Sequence, residues 1–271
     1  MKSRLALVLA LLLLASAAWA TTPPTTATVF SNIDDQVGRD NGSGSVGWGW
    51  CTTCAGGATS ATTFWMLQNQ TTPSLDGTST EFYTDGSAYS NVLFWYNVGA
   101  HDTASNFQTD FWVQIDQNST VIGQAFEFDT YQFVNGRQFM FGTQCDYSKG
   151  YVWDVWSQAK TQWIPTTIPC DLVKKQALTP NVWYHITWNF HRAGKLEYYD
   201  SITVVRYDSA MNVVSNVTYS ASISQGSAKL PAGWINNLGV QFQMDLNGNA
   251  GVGSNPTTMT EHIDNVTLTA W

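Results

Sequence analysis

The chain has 271 residues, only 12% of them charged, and a formal net charge of −8. An acidic balance with no basic run argues against nucleic acid and anionic membrane surfaces as partners. There is also no Ser/His/Asp triad spacing, no H-E-x-x-H and no phosphate loop, which removes support for protease, esterase and nucleotide chemistry. At the N-terminus, Lys2 and Arg4 precede an apolar run, Leu5 to Leu14, and Ala18-Trp19-Ala20 forms a small-x-small cleavage site. That is the pattern of a secretory signal over residues 1–20. Its loss takes the net charge from −8 to −10 and leaves 21–271 as one exported domain. No other stretch approaches the about 18 apolar residues of a membrane helix, so membrane insertion is not expected.

Thr21–Ala27 reads as an extended lead-in, Val29–Val37 as a first edge strand, and 38–57 as a glycine-rich loop holding Trp48, Trp50 and Cys51-Thr52-Thr53-Cys54. Short strands then recur, rich in aromatic and β-branched residues and punctuated by Asp85-Gly86, Asn135-Gly136, Ala193-Gly194 and Asn247-Gly248 turns. They are expected at Thr63–Gln68, Glu81–Thr84, Asn91–Val98, Asp110–Ile115, Gln124–Phe133, Arg137–Gly142 and Tyr151–Trp156. More follow at Gln162–Ile164, Trp183–Arg192, Ser201–Asp208, Val213–Ser220, Asn237–Met244 and His262–Ala270. The one helical candidate is Asp171–Ala177. This is the pattern of an all-β sandwich or jelly roll. Four cysteines in an exported chain point to disulfides; of the three connectivities, Cys51-Cys54 with Cys145-Cys170 is favoured over a zinc site built from all four.

Gln124–Phe133 is the stretch around which the rest is arranged. On a strand, Glu127 and Asp129 project to one side and Phe126 and Phe128 to the other. Two acids side by side among apolar residues are costly, because like charges repel and burial disfavours ionisation. Such a pair suits a bound cation, a hydroxyl-rich ligand or acid–base chemistry. Period-two polarity also places Gln241, Gln243 and Asp245 on one face, and Asp110, Trp112, Gln114 and Asp116 on another. Amides and carboxylates beside indole rings suit sugars, whose hydroxyls hydrogen-bond while their ring faces stack. The expected ligand-binding residues are therefore Gln132, Gln243, Asp245, Asp110 and Trp112 around Glu127 and Asp129. Trp153 and Trp156, in a segment closed by Cys145-Cys170, join that set; three apart on a strand, they face opposite ways, so at least one is core. His185 and His191 read as sheet residues.

Val182-Trp183-Tyr184-His185-Ile186-Thr187-Trp188 resembles a strand of laminin-G-like domains. Glu261-His262-Ile263-Asp264-Asn265-Val266-Thr267-Leu268 is similar to the closing strand of laminarinase-type β-glucanases. Both belong to the concanavalin A-like lectin/glucanase superfamily. The resemblance implies two curved antiparallel sheets with a ligand on the concave face. Glu127-Phe128-Asp129 resembles the metal-binding strand of legume-type lectins, but 131–142 lacks the Asp- and Asn-rich loop, and two carboxylates are too few for calcium. The same strand resembles the Glu-x-Asp-x-x-Glu of retaining β-glucanases, in which Glu127 would be nucleophile and Asp129 its partner. Gln132 stands at the acid/base position, and an amide cannot give and retake a proton. The resemblance thus implies a lectin-like module for polysaccharide or glycan, ahead of a glycoside hydrolase or polysaccharide lyase, with an adhesion domain third. It further implies that Asp264, with Asp34 or Asp35, holds a structural calcium; no other cofactor is required. The chain is expected to be a monomer.

Overall fold

The structure is a computed structural model that describes residues 22–36, 47–54, 59–172 and 176–271; the expected signal segment lies outside them. The strands open with β1 (Thr28–Phe30), β2 (Gly47–Cys51), β3 (Thr59–Ser60), β4 (Thr63–Gln70), β5 (Ser79–Asp85), β6 (Ser90–Gly99) and β7 (Asn106–Ile115). A single helical turn, α1 (Ser119–Ile122), precedes β8 (Gly123–Val134), β9 (Arg137–Phe141), β10 (Thr143–Asp146), β11 (Val152–Ser157) and β12 (Gln162–Pro169). Then come β13 (Tyr184–Ala193), β14 (Leu196–Tyr207), β15 (Val213–Gly226), β16 (Ala228–Lys229), β17 (Asn237–Leu246) and β18 (Thr258–Ala270).

These pair into two sheets. An eight-stranded sheet runs β15-β14-β13-β7-β18-β5-β4, with β1 added on β18. A ten-stranded sheet runs β12-β11-β10-β8-β17-β6-β2, with β9 on β8, β16 on β9 and β3 on β6. The long pairings are antiparallel and only the β3–β6 contact is parallel. The fold is the all-β, two-sheet jelly-roll sandwich that the concanavalin A-like resemblance implies. Inward-facing rings close it: Phe111 of one sheet stacks on Phe128 of the other at 4.2 Å, and Phe82 meets Phe242 at 4.6 Å. Each such side chain contributes roughly 1.5–3 kcal/mol when fully buried.

Three expectations change. The first edge strand shrinks to Thr28–Phe30, because Asn32 takes a left-handed φ of 51° that ends the pairing. Gly47–Cys51, expected as loop, is a strand on β6; a Cβ at Gly49 would lie 2.6 Å from the Trp95 ring, so glycine is what lets that indole lie across it. The described ends of Asp171–Ala177 are bends, and 173–175 lie outside the described residues. Asp171 there ties the chain down, its Oδ2 accepting from Thr179 Oγ1 (2.7 Å) and the Tyr184 hydroxyl (2.8 Å). Both expected disulfides are formed, Cys51–Cys54 and Cys145–Cys170. The second fastens the β10–β12 segment to itself and contributes about 3 kcal/mol in the loop-entropy account.

Candidate functional site

β8 runs between β10 and β17 in the ten-stranded sheet. Its alternation is regular: Phe126 and Phe128 enter the core, and Glu127 and Asp129 take the outward face. Register then lines up acids with amides. Asp154 of β11 opposes Gln144 of β10, which opposes Glu127, which opposes Gln243 of β17. Gln144 Nε2 donates to Asp154 Oδ2 at 3.1 Å, and Gln243 Nε2 donates to Glu127 Oε2 at 3.3 Å and to Asp245 Oδ2 at 2.6 Å. One step along, Asp129 accepts from Gln241 Nε2 and from the Thr143 backbone N–H, both at 2.7 Å. Donors and acceptors alternate across four neighbouring strands, which is how this sheet satisfies acids that burial would otherwise penalise.

Glu127 and Asp129 keep 5% and 2% of their surface exposed. Burial, then repulsion from Asp129 and Asp245, pushes the Glu127 carboxyl well above its usual range. Burial likewise raises Asp129 and Asp245, against the hydrogen bonds from Thr143, Gln241 and Gln243 that favour their charged forms. Burial holds Asp154 at about 6.

Two aromatic groups flank the acids. Trp156 sits on the outward side of β11, edge-on to Trp163 at 5.2 Å; a Cβ on Gly142 would be 2.6 Å from Trp156 and 3.4 Å from Asp129. Across the sheet, Trp95 of β6 opposes Gln241. Gln144 and Trp95 escaped the sequence reading. Trp95 carried a usable signal, since Asn91, Leu93, Trp95 and Asn97 alternate with Val92, Phe94 and Tyr96.

Other expected site residues lie elsewhere. Gln132 shares the parity of Phe128, so it faces the interior, where its Nε2 donates to the carbonyls of His101 (2.8 Å) and Ala104 (3.1 Å). A Glu at that position would need a bulge after Asp129 to reach the outward face, and the β8–β17 register runs unbroken from Glu127 to Phe133. Trp153 is core: fully buried, edge-on to Trp188 at 6.0 Å. Asp110 and Trp112 belong to β7, in the opposite sheet. There His185 Nε2 lies 2.8 Å from Asp110, and Trp112 stacks parallel on His185 at 4.5 Å, with Thr187 Oγ1 donating to the same acid. His185, expected as a core or sheet-surface residue, is half-buried on the sheet surface.

Near β1 and β18, Asp34 gives both carboxylate oxygens to the backbone amides of Asn265 (3.2 Å) and Val266 (2.7 Å). Asp264 Oδ2 accepts from the Leu75 amide at 2.7 Å, while Asp264 Oδ1 and Asp35 Oδ1 are buried without a hydrogen-bond partner. Burial raises Asp34 to about 7 and Asp264 to about 6, with Asp35 adding repulsion to both. Among the described residues no group of three or more His, Cys, Asp or Glu side chains is placed to hold a metal ion. Two free carboxylate oxygens are fewer than the six to eight that calcium takes, so carbonyls or water would supply the rest.

A cavity of about 280 Å³ lies away from these acids, at the sandwich edge between β2 and β4, lined by Trp48, Trp50, Phe64, Trp65, Met66 and Phe94. It is apolar, and none of the acids reaches it. No described helix is long and apolar enough to cross a membrane.

No family model and no curated protein matches the sequence. Solved structures of related outline include a cellulose-induced protein, Cip1, at 10% identity and a TM-score of 0.47, covering 88% of this chain and 96% of that one. A basic winged bean lectin with Tn-antigen aligns at 13% identity and 0.45, over 90% and 98%. A PL-14 alginate lyase from Aplysia kurodai aligns at 10% and 0.43, over 76% and 88%. Likeness at that level is silent on activity.

Proposed function

We propose that the chain is a secreted, monomeric glycan-binding module, taking neutral polysaccharide on the outward face of its ten-stranded sheet, with Glu127 and Asp129 at the centre. The observation that carries this reading is the acid–amide lattice of Asp154, Gln144, Glu127, Gln243, Asp245, Asp129 and Gln241, flanked by Trp95 and Trp156. Alternating donors and acceptors with indoles at the margins match an equatorial rim of hydroxyls around an apolar ring. The ion pairs among the described residues involve Asp110, Asp200, Asp171 and Glu81 and none of these acids. A uronate would therefore meet carboxyls that no ion pair neutralises, with Lys149 acting on Asp154 alone, which disfavours the lyase reading.

The second reading is a glycoside hydrolase, favoured by the raised carboxyls of the lattice. Against it, Gln132 at the acid/base position turns into the interior, where its amide donates to the His101 and Ala104 carbonyls, so the strand offers no second carboxyl in that role. Incubation and affinity electrophoresis with cellulose, laminarin, xylan and alginate separate the two. The expected result is retention of the processed protein on a neutral polymer without new reducing ends, weakened about tenfold or more in Glu127→Gln, as loss of a buried carboxyl contact implies. Reducing ends made by the wild type and lost in Glu127→Gln would establish the hydrolase instead. Absence of retention on every polymer would overturn the binding reading and leave adhesion in front.

We propose that Asp264 and Asp35, whose free Oδ1 atoms face no hydrogen-bond donor, hold the structural calcium, with Asp34 serving the backbone amides beside them and carbonyls or water completing the shell. Millimolar calcium is then expected to raise Tm and a chelator to lower it by a few degrees, because the ion would offset the burial, and the smaller repulsion from Asp35, that raise Asp34 and Asp264. A melt indifferent to both leaves the cluster held by protons and amides alone.

A further inference from the structure

The outward face of β8 continues past its acids. Tyr131 and Phe133 share the parity of Glu127 and Asp129, and their rings stack at 5.0 Å and 26°. Tyr131 is nearly buried, its hydroxyl bonded to Asn97 Oδ1, and it lies over Gly239, where a Cβ would sit 2.4 Å from the phenol oxygen. Phe133 in turn meets Trp234 at 5.0 Å and 55°. Trp234 stands on the turn between β16 and β17 and is 53% exposed, beside Ile235 at 55%. Among the described residues no other tryptophan is as open to solvent.

That turn is tied down. Leu230 donates to the Gly136 carbonyl at 2.9 Å, Trp234 to the Pro231 carbonyl at 3.2 Å, and Asn236 Nδ2 to Asp102 Oδ2 at 2.7 Å. A large indole held open on a fixed turn, with one edge against Phe133, has a hydration cost that a ligand ring would remove. Its position is continuous with the acid–amide lattice: Phe133 lies four residues beyond Asp129, about 13 Å along the strand. The lattice is polar and the strip aromatic, so one extended chain of sugar rings would find hydrogen bonds at the first and stacking at the second.

We infer that Trp234, braced by Phe133, is a remote stacking subsite that selects glycan chain length, accepting the apolar face of a pyranose several units away from the sugar held at Glu127. This inference rests on the glycan-binding reading and adds selection by chain length to it: a longer chain of sugar rings is held at two places, whereas a mono- or disaccharide reaches only the acids.

The test is calorimetric affinity for cello- and laminari-oligosaccharides, from disaccharide to hexasaccharide, with the wild type, Trp234→Ala and Trp234→Tyr. Wild-type affinity is expected to climb with length. Trp234→Ala should bind the hexasaccharide about tenfold more weakly with the disaccharide unchanged, and Trp234→Tyr should recover most of the loss. An exposed turn residue leaves Tm unaltered. Equal hexasaccharide affinity in Trp234→Ala and wild type would overturn the subsite while leaving the binding face intact. Failure of the wild type to bind any member of either series would instead remove the glycan-binding reading, and the subsite with it.

Discussion

Raising the pH from about 4.5 to about 8 is expected to destabilise this protein, the reverse of what surface-paired carboxylates produce. The cause lies in the carboxyls that the two sheets bury. Glu197 and Glu261 are almost fully enclosed, and burial lifts each to about 8. Repulsion from Asp116 adds to the rise at Glu261, while the Met140 amide and Arg137 oppose it at Glu197. Asp34, Asp154 and Asp264 are raised for the same reason, to between about 6 and about 7. In the unfolded chain such groups release their protons near pH 4, whereas in the folded chain they keep them until the pH reaches the raised value. Between those limits the folded state binds more protons, so its stability falls as pH rises. Full stability is present below the unfolded values and is progressively lost up to about pH 8. Each fully titrating group is worth about 1.4 kcal/mol per pH unit, so two of them move Tm by roughly 5–10 °C for each pH unit crossed. Calorimetric melts across that range check it. Glu197→Gln and Glu261→Gln, neutral at every pH, should flatten the slope. A Tm that climbs toward pH 8 would mean the native carboxyls are ionised, and this account would fail.

The second large effect separates two tryptophans three residues apart. Trp153→Ala empties a fully enclosed site between Phe126 and Trp188 and is expected to cost about 3–5 kcal/mol, roughly 10 °C in Tm for a chain of this length. Trp156→Ala removes a half-buried ring beside Asp129 and is expected to weaken polysaccharide retention severalfold with a smaller change in Tm. Thermal melts and affinity electrophoresis on the same pair decide it. If Trp153→Ala melts like the wild type, the inward assignment of β11 is wrong by one residue, and every side chain on that strand changes face.

That pair shows how far the sequence could be read. Alternation alone put Glu127 and Asp129 opposite Phe126 and Phe128, and put Trp153 and Trp156 on different faces, because parity on a strand is a local property. Which of the two tryptophans faced inward was set by β11 pairing with β10, a contact no local pattern encodes. Asp110 and Trp112 were correctly read as sharing a face, yet the strand order placed that face in the other sheet. Gln132 was drawn to the site by motif spacing, while the unbroken register of β8 turned it inward. Gln144 sits in a strand of four residues, too short for its alternation to stand out from a turn. Gly47–Cys51 read as loop for its glycines, although one of those glycines is what lets β2 approach Trp95.

β15 ends its sheet: it pairs with β14 alone, while the β11–β12 turn reaches it at Gly226, whose carbonyl accepts from the Ala159 amide. It is 14 residues long, Val213 to Gly226, without a single charge, proline or lysine to blunt its free margin. Such a margin is a template for another chain's backbone, so crowding threatens this molecule with lateral strand addition before it threatens the core. Asn216-Val217-Thr218, an acceptor sequence for N-linked sugar, falls on that same strand, with Asn216 exposed. A host that glycosylates would cover the margin with a hydrated tree; material made in a host that does not would carry it bare, and would be the form that fibrillises on storage.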